Sequence, residues 1–380
     1  MLKSLLVVLS LMGTRPEVIK MAPVITELAR HSSEVRSIVC VTGQHRELLE
    51  QGLTVFGIRP DFDLQIMEPD QMLSPLTSKM LSHLDPIVDQ VKPDWILAQG
   101  DTTTVLVASL VSYYHKIPFG HVEAGLRTGD KFKPFPEEVN RLIADHLSDA
   151  LFAPTERNRS DLIREGVPNG KILVTGNTVV DALLTASSLP YDWAKGPLAA
   201  LPEFGKIVLV TAHRRESFGE PLREICFAIR ELSTQFESAG VHFVYPVHLN
   251  PKVQKTAREI LEGLSNVSLI QPLDYLSMVN IMQRSALILT DSGGIQEEAP
   301  TFGVPVLVMR DVTERPEAVD SGVARLVGTD RERIVEEAAR LLRDPAEYRM
   351  MATRKNPFGD GNAAKRIVSY LVENAKANQA

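Results

Sequence analysis

Three carboxylates in the first half of the chain lie where acid–base chemistry could use them. Asp101 ends the apolar run "WILAQGD", Glu123 ends "IPFGHVE", and Glu137 follows Pro136. A carboxylate at the end of a buried strand costs free energy unless it is paired or used. Asp101 could equally cap a helix, and an acid such as Glu137 is common in a first helical turn. Glu123 has no capping role, so it has the weakest structural explanation of the three.

A glycine-containing turn in the second half is typical of phosphate binding. The segment "LTDSGGIQEEAP" runs from an apolar strand through Ser292, Gly293 and Gly294 into a predicted helix. Glycines let the backbone approach an anion, and the free N–H groups and dipole of a helix start stabilise it. The alternative is an ordinary strand–helix turn with Glu297 and Glu298 as helix-start acids. One of these acids could instead bind the hydroxyls of a ribose.

Cations follow two other predicted strands. In "GTRPEVIK", Thr14 and Glu17 have the spacing of a capping box, which leaves Arg15 and Lys20 unexplained. Arg15 suits phosphate because its planar fork can bind two oxygens.

In "AHRRESFG", His213, Arg214 and Arg215 are adjacent. A lone histidine is more often structural, but three groups that can carry positive charge favour an anion site. His213 could donate to a departing phosphate and Arg215 could neutralise it.

A metal site must also be considered, because His121 and Glu123 share one strand face by the period of two. No further His/Cys cluster and no paired-aspartate motif accompanies them, which disfavours a metal. Arg127 could instead pair with Glu123 or with a neighbouring acid, and Gly125 would let the loop pass close to a sugar.

Alternating strands and helices must position these residues. Continuous apolar strands separated by amphipathic helices predict parallel sheets that are covered on both faces. Six strands on each side of a proline- and glycine-containing segment, 187–206, predict two doubly wound, Rossmann-like domains. We expect these domains at 1–185 and 186–361, with a final helix at about 362–378 that packs back on the first. Ligands of such sheets bind beyond the carboxyl ends of the strands, which predicts a cleft between the domains. The predicted strands are Leu5–Leu9, Ser37–Thr42, Trp95–Gln99, Ile117–Val122, Ala150–Ala153, Ile172–Val174, Ile207–Thr211, His242–Pro246, Val267–Ile270, Ala286–Thr290, Val304–Met309 and Ala324–Val327.

Composition excludes several other classes of protein. The chain has 380 residues and a net charge of −7, so it lacks the basic surplus of a nucleic-acid binder. Its two cysteines, Cys40 and Cys226, have no metal-ligand spacing and favour a reducing, cytoplasmic setting. Arg15 and Glu17 follow the first apolar run at once, which favours a strand over a signal peptide. No apolar run is long enough to predict a membrane span.

These motifs, in this order along nearly the whole chain, resemble the non-hydrolysing UDP-N-acetylglucosamine 2-epimerases. The resemblance is carried by "GTRPEVIKMAPV", "TGQHRELL", "GDTTT", "GHVEAGLRTGD", "PEEVNR", "GNTVVDAL", "TAHRRESFG", "PVHLNP", "LTDSGGIQEEAP", "GVPVLVMRDVTERPEAV" and "NPFGDGNAA". It implies an α/β fold like that of GT-B glycosyltransferases and interconversion of UDP-N-acetylglucosamine and UDP-N-acetylmannosamine for surface polysaccharide. It also implies a cytoplasmic homodimer that uses neither metal nor redox cofactor and binds neither nucleic acid nor membrane.

The resemblance also implies roles for residues at matching positions. The catalytic or substrate-contacting set would comprise Arg15, Lys20, Asp101, Glu123, Glu137 and His213. The UDP site would comprise Ser292, Gly293, Gly294, Glu298 and Arg315. A second, activating UDP-N-acetylglucosamine would be bound by Gln44, His45, Glu138, Arg214 and His248. Where some members hold uracil with a glutamine and an aromatic residue, this chain has Leu273 and Met278.

The residues fit one of two routes to inversion at C-2. Oxidation of the sugar needs a nicotinamide, but no dinucleotide fingerprint follows any predicted strand. Elimination of UDP to an unsaturated glycal needs cations for the leaving group and acid–base groups on both faces of C-2. The sequence supplies both and leaves open which carboxylate serves which face. The alternatives are a GT-B glycosyltransferase, a hydrolysing 2-epimerase and a non-catalytic nucleotide-sugar sensor.

Overall fold

The computed structural model describes residues 5–43, 46–66, 71–202 and 205–377. The chain divides into two compact units. The first comprises Met1–Thr185 with Phe358–Ala380, and the second comprises Ala186–Pro357.

In the first unit, the described residues form a seven-stranded sheet with the order β3-β2-β1-β4-β5-β6-β7, and every pair of neighbours is parallel. The strands are β1 Leu6–Met12, β2 Val35–Val41, β3 Phe62–Asp63, β4 Trp95–Gln99, β5 Phe119–Val122, β6 Ala150–Ala153 and β7 Ile172–Val174. The helices are α1 Arg15–Arg30, α2 Arg46–Val55, α3 Leu73–Val91, α4 Thr103–His115, α5 Glu137–Leu147, α6 Glu156–Arg164, α7 Thr178–Ser187 and, from the end of the chain, α15 Ala363–Ala377.

Side-chain alternation along β1 explains why both faces of this sheet are covered. Val8 and Met12 belong to one core, with residues of α1 and α15, whereas Leu9 and Leu11 belong to the opposite core, with residues of α3 and α4. A strand that buries both faces reads as a continuous apolar run.

The strand β3 is absent from the sequence-based prediction, which is therefore wrong on this point. β3 is a two-residue edge strand, Phe62–Asp63, that pairs with Cys40 and Val41 of β2. Two residues carry no periodic signal, and one of them is an aspartate, so only the pairing defines this strand.

The second unit repeats the arrangement with a six-stranded parallel sheet of described residues, in the order β10-β9-β8-β11-β12-β13. Its strands are β8 Lys206–Thr211, β9 Val241–Pro246, β10 Val267–Ile270, β11 Ser285–Thr290, β12 Val306–Val308 and β13 Ala324–Leu326. Its helices are α8 Glu220–Phe236, α9 Pro251–Leu261, α10 Tyr275–Arg284, α11 Gly293–Glu298, α12 Pro316–Asp320, α13 Arg331–Arg343 and α14 Pro345–Ala352.

Both strand orders are those of a Rossmann-like sheet, so the predicted α/β class is confirmed. No helix within the described ranges is both long enough and apolar enough to cross a bilayer. Each sheet brings the carboxyl ends of its central strands together, and the candidate residues lie there.

Candidate active site

In the first unit, the end of β1 is tied to the end of β4 through Glu17. The predicted capping box is confirmed, because the Thr14 side chain accepts from the Glu17 N–H and the Glu17 carboxylate accepts from the Thr14 N–H. The same carboxylate also accepts from the Gly13 N–H at 2.7 Å and from the Thr102 hydroxyl at 2.5 Å. Burial raises the pKa of Glu17 despite these hydrogen bonds. The cap therefore fixes the turn that presents Arg15, a half-buried residue.

Glu123 is enclosed by donors that sequence reasoning did not predict, apart from Lys20, which it placed in the same site. The Lys20 ammonium lies 2.5 and 2.7 Å from the two carboxylate oxygens, Asn177 donates at 2.8 Å, and Gln99 donates a short hydrogen bond. The Glu123 side chain is 3% exposed. A signal for the amides exists in the sequence, since Gln99 ends one predicted strand and Asn177 follows another by three residues.

The backbone of Glu123 lies in the left-handed region, with φ of +68°. Such a conformation costs a non-glycine residue on the order of 1–3 kcal/mol and persists only where the surroundings enforce it. It also ends the strand alternation, so the prediction that His121 and Glu123 point to one face is wrong. His121 is bonded to Asp145 and to the Gly100 carbonyl instead.

Arg127 and Gly125 have partners other than those expected for the sugar-facing loop. Arg127 does not pair with Glu123 but binds Asp145 at 2.6 Å and Glu165 at 2.6 and 2.7 Å. A side chain on Gly125 would meet the Asn158 carbonyl at 2.5 Å, and its φ is +85°. This glycine is therefore explained by packing against the backbone of α6.

Asp101 does not cap α4, so that alternative is wrong. Thr102 is the N-cap residue, with its hydroxyl accepting from the Thr104 N–H at 3.2 Å. The Asp101 carboxylate instead accepts from Arg141 at 2.8 Å and remains 29% exposed. It is therefore held in place and still accessible.

Glu137 begins α5, as predicted, and has one carboxylate oxygen, Oε2, that is buried without a hydrogen-bond partner among the described residues. Buried polar atoms are nearly always paired in folded proteins, so this oxygen could accept one further hydrogen bond. Its neighbour Glu138 is different, because it accepts from the N–H groups of Thr128 and Gly129 at 3.0–3.2 Å and is buried.

In the second unit, Asp291 positions the loop after β8, a role that the sequence analysis missed. One oxygen of this fully buried carboxylate accepts from the N–H groups of His213 and Arg214 at 2.6 and 2.7 Å. Its other oxygen lies 3.4 Å from Nδ1 of His213. Asp291 directly precedes Ser292 at the end of β11, which is the signal that could have revealed it.

His213 stacks on His248, with ring centroids 5.4 Å apart and an angle of 9° between the planes. Burial lowers the pKa of His213, and His248 and Arg214 lower it further, against the opposing effect of Asp291. The imidazole is therefore neutral at pH 7, and an incoming anion would favour its protonation. Arg215, two residues on, is exposed.

The turn of Ser292, Gly293 and Gly294 leads directly into α11, as predicted, and Ser292 is the N-cap residue with no side-chain capping bond. The Ser292 N–H donates to the Thr290 hydroxyl at 2.9 Å. The Arg214 guanidinium lies 3.8 Å from where a side chain on Gly293 would begin. A cation thus stands beside N–H groups that a helix leaves unpaired.

Two further predicted contacts of a nucleotide are Glu298, in α11, and Arg315, which reaches α11 through Glu297. Arg315 donates a short hydrogen bond to Glu297, a buried acid, so Glu297 orients Arg315 rather than merely starting a helix. Glu298 adds to the effect of burial in raising the pKa of Tyr275. Leu273 and Met278 are half-buried around the start of α10.

Gln44 and His45 lie outside the described residues. Within the described ranges, no group of three or more His, Cys, Asp and Glu side chains is placed to hold a metal ion.

Comparison with known proteins identifies the family. Residues 26–372 match the family model described as UDP-N-acetylglucosamine 2-epimerase. The UDP-N-acetylglucosamine 2-epimerase of Escherichia coli K12 is 52% identical over 373 residues, which is 97% of this chain and 98% of that protein.

Solved structures of the same family match this chain over nearly its whole length. The UDP-GlcNAc 2-epimerase of Neisseria meningitidis bound to UDP-GlcNAc is 46% identical with a TM-score of 0.84, covering 97% of this chain and 100% of that one. The UDP-GlcNAc 2-epimerase of Methanocaldococcus jannaschii in complex with UDP-GlcNAc and UDP is 33% identical with a TM-score of 0.74. The match covers 97% of this chain and 100% of that one. A Rickettsia africae glycosyltransferase, 11% identical with a TM-score of 0.63, shares the GT-B-like fold alone. The chain therefore belongs to the UDP-N-acetylglucosamine 2-epimerase family.

Proposed function

We propose that this protein interconverts UDP-N-acetylglucosamine and UDP-N-acetylmannosamine without releasing the free sugar, in service of surface polysaccharide synthesis. The observation that carries the proposal is the carboxylate set of the first unit, with Asp101 and Glu123 just after strands and Glu137 at the start of α5, where one of its oxygens is buried without a described partner. A glycosyl transfer to an acceptor would not need several carboxylates around C-2. The family relationship supports the same substrate.

The proposed route begins with anti elimination. A base removes the proton from C-2, the C-2–H electrons form the C-1=C-2 double bond, and the C-1–O bond breaks with its electrons leaving on UDP. C-2 of the resulting 2-acetamidoglucal is trigonal and has lost its handedness. UDP then adds back to C-1 while an acid delivers a proton to the opposite face of C-2, so atoms and charge balance.

Residues of the first unit supply the acid and the base. Asp101, Glu123 and Glu137 are the proposed carboxylates, and they meet the need for proton transfer on both faces of C-2. The Lys20 ammonium contacts both oxygens of Glu123, which keeps that carboxylate oriented. Arg15 is proposed to contact the sugar nucleotide.

Residues of the second unit bind the diphosphate. His213 and Arg215 are proposed to stabilise the charge that develops on departing UDP, together with the N–H groups of the Ser292–Gly294 turn. Glu298 and Arg315 are proposed to bind the remainder of UDP. His213 is well suited because it enters neutral and can accept a proton as the anion arrives.

Incubation with UDP-N-acetylglucosamine alone in deuterated water tests the proposal. We expect deuterium at C-2 of recovered substrate and appearance of the manno epimer by NMR. Transfer of the sugar only when an acceptor is present, with no exchange, would indicate a glycosyltransferase. Steady accumulation of UDP with free N-acetylmannosamine would indicate a hydrolysing enzyme, and binding with no reaction would indicate a sensor.

We further propose a homodimer, since four apolar side chains are exposed on α4 and α5, two helices that pack together. These are Tyr113, Tyr114, Val139 and Ile143. Light scattering should give twice the mass of the chain. Tyr113→Asp with Ile143→Asp should halve it, whereas Phe132→Asp, an equally exposed aromatic on another segment, should not.

Activation by a second UDP-N-acetylglucosamine is also proposed, at Gln44, His45, Glu138, Arg214 and His248. A sigmoid dependence of rate on substrate concentration is expected, and a hyperbola would argue against it. Both cysteines are free and buried, which supports a cytoplasmic location.

A further inference from the structure

The turn between β4 and α4, which carries Asp101, is fixed by contacts from outside α4. The Gly100 carbonyl oxygen accepts from Nε2 of His121 at 2.7 Å. The Asp101 carbonyl accepts from Asn140 at 2.9 Å, and the Asp101 carboxylate accepts from Arg141 at 2.8 Å. Gly100 has φ of +88°, so its peptide takes a conformation that other residues rarely adopt.

His121 has an acceptor at each ring nitrogen. Its Nδ1 lies 2.6 Å from the Asp145 carboxylate, opposite the contact to the Gly100 carbonyl. A carbonyl and an ionised carboxylate can only accept, so both ring nitrogens must donate and the ring carries two protons. The side chain is fully buried.

The charge on this buried ring is compensated by a chain of alternating partners. Burial alone would raise the pKa of Asp145, but the charges of and hydrogen bonds from His121 and Arg127 lower it below its ordinary value. Arg127 also forms an ion pair with Glu165, whose side chain is 28% exposed. This series of contacts therefore extends from Glu165, a partly exposed acid, to the Gly100 carbonyl beside Asp101.

We propose that His121 is a positioning residue for epimerisation. It acts through the Gly100 carbonyl to hold the Asp101 carboxylate in the position from which it can exchange a proton with C-2. This proposal rests on the proposed role of Asp101. Asp145, Arg127 and Glu165 hold the imidazole with both nitrogens donating. Loss of the Gly100 contact would leave the turn with its other contacts but free to shift, and a displacement of about 1 Å can lower a rate about 100-fold.

Two conservative substitutions separate this role from a merely structural one. Asparagine places an amide nitrogen near the position of Nδ1, so His121→Asn keeps the Asp145 contact and loses the Gly100 contact. Glutamine reaches the position of Nε2, so His121→Gln keeps the Gly100 contact. Both remove the buried charge and should lower stability alike.

We expect His121→Asn to lower kcat about 100-fold with KM changed less than about threefold. His121→Gln should recover at least about tenfold of that loss. Asp145→Asn offers a second contrast, because its amide nitrogen can donate to Nδ1 and leave Nε2–H on the Gly100 carbonyl. It should therefore lower kcat less than His121→Asn does. Equal losses of kcat in the Asn and Gln variants of His121, or no loss in His121→Asn, would overturn the proposal.

A measurement on the unsubstituted protein covers the case in which a variant fails to fold. Nitrogen-15 NMR of histidine-labelled protein should show a proton on each ring nitrogen of His121, as the two acceptors require, and a proton on only one nitrogen would overturn the arrangement. Asp101→Asn separates this proposal from the proposed function. If Asp101→Asn lowers turnover to a reduced but measurable level, His121→Asn should add no further loss in that background. If Asp101→Asn retains normal turnover, the role of Asp101 is refuted and the role of His121 with it.

Discussion

Replacement of Glu123 by glutamine separates binding from chemistry more sharply than any other single change. The carboxylate accepts from Lys20 through both oxygens, from Asn177 through one and from Gln99 through the other. A glutamine amide must turn its NH₂ group towards donors on one side or the other. One donor then meets another donor, and Lys20 loses its counterion.

The expected loss of stability follows from these contacts. Breaking a buried ion pair by removing one partner costs about 3–5 kcal/mol. Lys20 is 18% exposed and can turn towards water, so we expect about 3 kcal/mol, at the low end of the range. For a unit of this size that loss corresponds to a fall in Tm of roughly 6–12 °C. The variant should still fold if the unit has the usual margin of roughly 5–15 kcal/mol.

Three quantities are measured for two proteins. One is the single variant Glu123→Gln, and the other is the double variant that combines Lys20→Met with Glu123→Gln. Thermal unfolding gives stability, calorimetry gives UDP affinity, and NMR in deuterated water gives exchange at C-2. We expect exchange to fall below detection in both, UDP affinity to stay within about threefold, and the double variant to recover part of the lost Tm. Near-normal turnover of Glu123→Gln would show that Glu123 is structural, and loss of UDP binding would place it in the nucleotide site.

Three further predictions concern Asp145, His213 and Glu137. The folded pKa of Asp145 lies below its ordinary value of 3.8, so its contribution to stability is present above that pH and is lost as pH falls through the folded value. Asp145→Asn breaks buried ion pairs with His121 and Arg127, so it should lower the free energy of urea unfolding at pH 7 by about 3–5 kcal/mol. It should also weaken the fall of that free energy below about pH 4, and an unchanged acid limb would contradict this. Because the pKa of His213 is lowered from 6.5, His213 should take up a proton when UDP binds at pH 7, seen in calorimetric enthalpies that vary with the ionisation enthalpy of the buffer. The terminal phosphate of UDP also titrates near this pH, so the test is the difference between variants. His213→Asn should lower the number of protons taken up, and an unchanged number would argue against protonation of His213. Glu137→Gln should abolish turnover yet change the free energy of unfolding by less than about 1 kcal/mol, because one buried oxygen already lacks a described partner. A loss of unfolding free energy above about 2 kcal/mol would identify Glu137 as structural.

Much of the fold and some of the site follow from local sequence. The continuous apolar runs predicted twelve strands of the two sheets, since a strand covered on both faces shows no alternation. The spacing of Thr14 and Glu17 predicted the cap of α1, and the glycine turn predicted the start of α11. These features depend on neighbours within a few residues, so the order of residues alone contains them.

The partners of the candidate residues depend on the tertiary structure. Glu123 meets donors that are 103, 24 and 54 residues away, because the strand order places β1, β4 and β5 side by side with β7 two strands further on. Sequence periodicity gave a wrong orientation for Glu123, because its left-handed backbone ends the alternation and turns it away from the face on which His121 meets Asp145. The order of residues determined which side chains reach the strand ends. Only the packing of distant segments decided which of them share protons and charge, because hydrogen bonds act over about 3 Å whatever the separation along the chain.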